Sequence, residues 1–231
     1  MNLTEELIIV TGASKGIGLA TVKLALEKGM KVCGWSRKAP ANFSHPNFHF
    51  VACDVSNYSS VESAYQATLA HFNQSPFALL NNAGLGYFRL FDQLNQNEIS
   101  EMIQTNVMGV LNCTKVVVSA MKENRKGHII AVSSIAGTTG IPEGSVYCAS
   151  KFAVRGFCQS LFKELRPFNI KVSCIYPGSV STDFFANYPS VQVNDQFMKA
   201  EEVAASIFYL LETPANILPV DLELRPMQLK M

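Results

Sequence analysis

Short apolar runs rich in β-branched residues alternate along this chain with longer stretches whose apolar positions recur at helical spacing. The runs fall at 7–11, 31–36, 48–54, 78–81, 128–133, 171–176 and 220–224. Continuous hydrophobicity over so few residues marks strands that are covered on both faces. The stretches at 17–28, 58–71, 99–122, 145–166 and 201–212 read as helices, the second of them capped by Ser56 or Asn57. Strands separated by helices imply right-handed crossovers. The expected fold class is therefore α/β, a doubly wound, seven-stranded parallel sheet with helices on both faces.

In such a sheet, ligands gather beyond the carboxyl ends of the strands, where strand order reverses. Polar and glycine-rich groups follow the predicted strands there: Thr11-Gly12, Asp54, Asn81-Asn82-Ala83-Gly84, Ser133-Ser134 and Pro177-Gly178. The first of these opens the turn Thr11-Gly12-Ala13-Ser14-Lys15-Gly16-Ile17-Gly18, which runs straight into the first helix. Glycines let backbone approach a pyrophosphate, and a helix amino terminus offers unpaired N–H donors with partial positive charge. The spacing differs from the commoner G-x-G-x-x-G, but strand before and helix after are what the mechanism requires.

Farther along, Tyr147-Cys148-Ala149-Ser150-Lys151 sets a phenol and an ammonium four residues apart on one helix face. A neighbouring cation favours the phenolate and brings a tyrosine closer to proton exchange near neutral pH. Taken alone, the spacing also fits a surface lysine beside a half-buried tyrosine.

Composition narrows the remaining classes. The 231 residues suit one domain spanning 1–231, and no linker-like stretch divides them. A net charge of +1 gives no broad basic footprint for nucleic acid and no polybasic segment for a membrane. No run has the length of a membrane span, and the first strand begins too early for a cleavable leader, so the cytoplasm is the expected compartment. Six dispersed cysteines, without a C-x-x-C pair, read as reduced and buried, Cys148 among them. Neither they nor the four histidines have metal-ligand spacing, and no metal site is expected.

The glycine turn, Asn81-Asn82-Ala83-Gly84, the mid-helix Asn106, Ser134 ahead of Tyr147-x-x-x-Lys151, and Tyr176-Pro177-Gly178 follow one another in a familiar order. In these motifs, over residues 11 to about 183, the chain resembles the short-chain dehydrogenase/reductase family, whose fold is Rossmann-like. The resemblance implies that Tyr147 is the catalytic acid/base and that Lys151 lowers its pKa and binds the nicotinamide ribose. It implies that Ser134 hydrogen-bonds the substrate oxygen and that Asn106 holds a water linking Lys151 to solvent. It further implies cofactor contacts from Gly12, Ser14, Lys15, Gly16, Ile17, Gly18, Asn82, Ala83 and Gly84. Asp54, Val55, Pro177, Gly178, Val180 and Thr182 complete that set. As bare residues, Asn106 reads as a polar bend in a helix, Ser134 as a turn hydroxyl and Asp54 as a helix cap.

An acid after the second strand would accept from the adenosine ribose and repel a 2′-phosphate. Here the strand ends Trp35-Ser36-Arg37, and Lys15 adds a second cation, so NADP(H) is expected over NAD(H). The implied partners are a small carbonyl or alcohol substrate and further copies of the chain, as a homodimer or homotetramer. The family's assembly helices carry Val116, Val117, Val118, Phe152, Phe157 and Phe162 in this chain. Substrate would meet segments 84–94, 135–145 and 179–193, with a short lid around 179–199. Phe88, Phe91, Ile141, Phe184, Phe185 and Tyr188 suggest an apolar or aromatic compound. The leading expectation is a carbonyl reductase or alcohol dehydrogenase; the alternative is a dinucleotide-sensing regulator that does not turn over.

Overall fold

The computed structural model describes residues 3–185 and 194–227; of the expected lid, 186–193, including Tyr188, lie outside the described residues. In chain order the elements begin β1 (Leu7–Thr11), α1 (Gly16–Glu27), β2 (Lys31–Ser36), β3 (Phe48–Ala52), α2 (Tyr58–Phe72) and β4 (Ala78–Asn81). There follow α3 (Gln96–Ile103), α4 (Gly109–Asn124), β5 (Gly127–Val132), α5 (Ser145–Leu165) and β6 (Ile170–Pro177). The chain continues through β7 (Val180–Ser181), β8 (Met198–Lys199), α6 (Ala200–Glu212) and β9 (Asp221–Leu224). Seven strands form one parallel sheet in the order β3-β2-β1-β4-β5-β6-β9, and β7 pairs with β8 beside it. The order reverses between β1 and β4, which sets the ligand crevice at their carboxyl ends.

Strand side chains alternate between the faces, and β1 shows the consequence. Leu7 and Ile9 pack with α2, α4 and α5 on one face, whereas Ile8 and Val10 pack with α1 and α6 on the other. Each fully buried Leu or Ile contributes about 1.5–3 kcal/mol, so a strand apolar on both sides is what holds two helical layers to one sheet.

The elements expected from the sequence are present, with differences at their ends. Asn57, not Ser56, caps α2, its side chain accepting from the Ser60 N–H at 3.0 Å. The single helix expected over 99–122 starts earlier because Asn95 and Glu98 form a capping box. It is then interrupted by a π turn, Gln104–Met108, between α3 and α4. α5 gives way to a short 3-10 turn, Arg166–Phe168, because Pro167 lacks the N–H that would continue it. Among the described residues, no helix is long and apolar enough to cross a membrane.

One buried group at the opposite end of the sheet from the crevice makes stability depend on pH. His128, 1% exposed, bonds Ser173 Oγ at 2.9 Å, and its Nδ1 has no partner among the described residues. Burial, with some help from Lys171, pushes its pKa down from 6.5 to about 3. Between those values the unfolded chain binds a proton that the folded chain refuses, so stability falls as the solution is acidified. The loss should be about 1.4 kcal/mol for each unit below about pH 6.5. Urea unfolding midpoints of the wild type should therefore drop more steeply between neutrality and about pH 5 than those of His128→Gln. Parallel declines would show that His128 does not set the acid limit.

Candidate active site

The crevice is assembled by backbone-to-side-chain bonds that tie strand ends together. Thr11 Oγ1 donates to Leu80 O and accepts from the N–H groups of Asn82 and Ala83 at 2.9 and 3.0 Å. Asn82 Nδ2 donates to Thr11 O at 2.9 Å and to Gly12 O at 3.3 Å, fastening the glycine turn to the loop after β4. Thr11 was not among the expected site residues, although its place at the head of the turn is visible in the sequence. Gly18 packs on the same turn so closely that a Cβ there would stand 2.2 Å from Gly12 O.

These contacts aim the start of α1 into the crevice. No side chain caps α1, and its first turn contains no acid. An uncapped helix start beside a backbone-lined turn has the chemistry of an anion site, so the residues present fit a dinucleotide pyrophosphate. Ser14 is half-buried on this turn, and Ile17 packs against the core on the α1 side. Thr182 lies against Gly16, where a Cβ would meet its Cγ2 at 3.3 Å, and Val180 beside it is buried. Gly178 N–H donates to Leu224 O, which anchors the Pro177-Gly178 turn to β9. A cleft of about 280 Å³ opens next to Gly16, between Lys23, Thr182 and Glu201.

After β3, Asp54 Oδ1 accepts from the N–H and hydroxyl of Ser56, so its carboxylate braces the turn before α2 and does not cap that helix, whose cap is Asn57. Val55 is buried against Gly109, and its carbonyl accepts from Asn112 Nδ2 at 3.0 Å. Arg37 is exposed and forms no ion pair among the described residues. Its charge reaches the Tyr87 phenol, which is raised chiefly by a 2.6 Å hydrogen bond to Glu101 and is drawn the other way by Arg37. Lys15 is paired with Asp183 at 3.2 Å across the turn. Both side chains are about 70% exposed, and such a pair holds weakly enough to give way to a phosphate.

Tyr147 and Lys151 do come together, in a drier setting than their spacing alone suggests. Lys151 is 6% exposed, donates to Val132 O at 2.9 Å, and lies 5.7 Å from the Tyr147 ring centre. Burial lowers its pKa from 10.5 to about 8. Burial also pushes the Tyr147 phenol well above its usual range, and the hydrogen bond from Ser134 pulls it back. The opposing influence here thus comes from Ser134, where the sequence assigned it to Lys151. Ser134 also has the turn role: its Oγ accepts from Ala136 N–H at 3.1 Å and begins a 3-10 turn at the end of β5.

Asn106 falls in the π turn, a helix irregularity that often occurs at functional sites. Its amide grips Leu85 as a strand partner would, accepting from Leu85 N–H at 2.9 Å and donating to Leu85 O at 2.8 Å. Nδ2 also donates to Ser150 Oγ, which in turn donates to Tyr147 O at 2.7 Å. Asn106 therefore holds the loop after β4 against the helix turn that carries Tyr147. Ser150, one turn from Tyr147, was missed in the sequence, although its i+3 spacing marks the same helix face. A Cβ at Gly84 would stand 3.2 Å from Asn106 Oδ1 and 3.6 Å from Lys151 Nζ, so this loop closes over the lysine. All six cysteines are buried free thiols.

Comparison with known proteins bears on the family and the fold. A family model described as short chain dehydrogenase matches residues 6–192. The 3-ketodihydrosphingosine reductase of Bacteroides thetaiotaomicron is 38% identical over 182 residues, covering 79% of this chain and 66% of the relative, so the chain spans about two thirds of that protein. Among solved structures, serine dehydrogenase complexed with NADP+ superposes with a TM-score of 0.89 at 26% identity, covering 97% of this chain and 96% of the other. A 3-ketoacyl-(acyl-carrier-protein) reductase from Brucella melitensis, complexed with NADH, gives 0.89 at 25% identity over 96% and 97%.

Proposed function

This chain belongs to the short-chain dehydrogenase/reductase family, and from that premise we propose that it is an NADPH-dependent carbonyl reductase, able in reverse to oxidise an alcohol. One observation carries the reading: Ser134, Tyr147 and Lys151 converge at the end of β5, next to the loop after β4 that is fastened to the glycine turn. A dinucleotide-binding regulator would need the glycine turn but not a buried lysine beside a phenol.

A nicotinamide held in the crevice would supply the hydride. As hydride reaches the carbonyl carbon, negative charge grows on the oxygen, and the Ser134 hydroxyl stabilises it by donating a hydrogen bond. Tyr147 gives its Oη proton to that oxygen. Burial keeps the phenol protonated in the ligand-free protein, and the donor from Ser134 works against that shift. Lys151 keeps a positive charge near the phenolate that results. Gly12, Ser14, Gly16, Ile17 and Gly18 would receive the pyrophosphate, with Asn82, Ala83, Gly84, Pro177, Gly178, Val180 and Thr182 along the cofactor. Asp54 and Val55 would meet the adenine, and Arg37 with Lys15 the 2′-phosphate. Phe152, 43% exposed, and Met108 fit assembly through α4 and α5 into a homodimer or homotetramer, while Val117 belongs to the core.

The reading is tested by adding a panel of aldehydes and ketones to protein and NADPH and following loss of the reduced-nicotinamide absorbance. Turnover is expected, and kcat/KM for reduction should fall as pH rises through about 8, where Lys151 loses its charge. Cofactor binding without turnover of any member of a broad panel would favour the regulator.

A further inference from the structure

Two rings pack against the ring of the reactive phenol. Phe88 lies 5.1 Å from Tyr147 between ring centres and Phe184 lies 5.6 Å from it, both tilted, and the two phenylalanines meet edge to face at 6.0 Å. This three-ring arrangement leaves Tyr147 only 7% exposed. A carbonyl that accepts bonds from both Tyr147 and Ser134 brings its substituents close to these rings.

The two rings differ in how they are held. Phe88 is 8% exposed and packs with Leu94, Met102 and Val146 in a cluster of its own beneath the loop after β4. Phe184 is half-buried on the short turn Asp183–Phe185, which follows the two-residue strand β7. Phe88 is thus the more deeply buried wall, and Phe184, which packs against the same cluster, is the more exposed one. Both depend on a bare backbone at Gly86, where a Cβ would stand 2.8 Å from Phe88 Cε2 and 3.0 Å from Phe184 Cζ.

We infer that Phe88 and Phe184, seated by Gly86, are the specificity-determining residues of this site and select carbonyl compounds bearing a flat aryl group next to the carbonyl carbon. The inference rests on the carbonyl-reductase reading and deepens it. A ring entering against Phe88 and Tyr147 recovers the tilted, edge-to-face contacts that the ligand-free protein already makes, whereas a short alkyl chain recovers only contact area. The three rings themselves offer no charge to an entering group, so an ionised substituent placed against them would lose hydration that they do not replace.

The test combines binding and turnover on protein saturated with NADP(H). Benzamide, an unreactive aryl carbonyl, should bind at least about tenfold more tightly than propionamide. Phe88→Ala, Phe184→Ala and Gly86→Ala should each remove most of that preference. Phe184→Ala and Gly86→Ala guard against a folding defect in Phe88→Ala, because the ring ends they affect can shift without opening the core. Equal affinity for the two amides in the wild type, or a preference that survives Phe184→Ala and Gly86→Ala, overturns the inference. Turnover of benzaldehyde and propanal separates the two readings: amide selectivity lost in the variants but with neither aldehyde reduced leaves the aryl site standing and removes the reductase.

Discussion

Tyr147→Phe should lower kcat/KM for carbonyl reduction about a thousandfold or more while changing the dissociation constant for NADPH by no more than about threefold. The substitution removes one oxygen and keeps the ring, so the contacts with Phe88 and Phe184 survive. What is lost is the proton donor and its hydrogen bond with Ser134. Lys151 does not replace it, because its ammonium is committed to Val132 O. Steady-state kinetics and a fluorescence titration with NADPH check the two halves separately. Activity retained within about tenfold would remove the phenol from proton transfer; cofactor affinity lost in parallel would place it in binding instead.

Arg37→Ala should weaken NADPH by about 10- to 100-fold and leave NADH within about twofold. A charge-assisted hydrogen bond is worth about 1.5–3 kcal/mol, which corresponds to that range of affinity. Arg37 is suited to the role because it follows β2, is exposed, and has no carboxylate partner among the described residues. Ser36, beside it, turns inward and donates to Lys38 O, so no acid or hydroxyl there awaits a ribose. Lys15 contributes less, because its ammonium must first leave Asp183. Comparison of the dissociation constants of both cofactors decides the matter: equal losses would show that the guanidinium does not meet the 2′-phosphate.

Much of the fold is legible in the chain. β1, β2 and β4 occupy the stretches that apolar continuity marks, because a strand buried on both faces has no other way to be written. The glycine turn, Asn82, Ser134 and the Tyr147–Lys151 pair are likewise visible, since each lies at a strand end or within one helix turn. The break in the helix expected over 99–122 is not visible. Asn106 forms its π turn while holding Leu85 and Ser150, partners that helical periodicity does not record.

The sequence by itself determined the order of elements, the sheet and the chemical groups delivered to its carboxyl edge, because hydrophobic period, turn glycines and side-chain spacing are local properties of the chain. Only the tertiary structure decided that Tyr147 and Lys151 are both dry, with shifts of opposite sign. It alone decided that Ser134 is the group countering burial of the phenol, that Lys15 rests on Asp183, and that Phe88 and Phe184 pack against the Tyr147 ring. Those outcomes depend on burial and pairing among residues remote along the chain, and the free energy of a charge or a ring is set by whatever the fold packs around it.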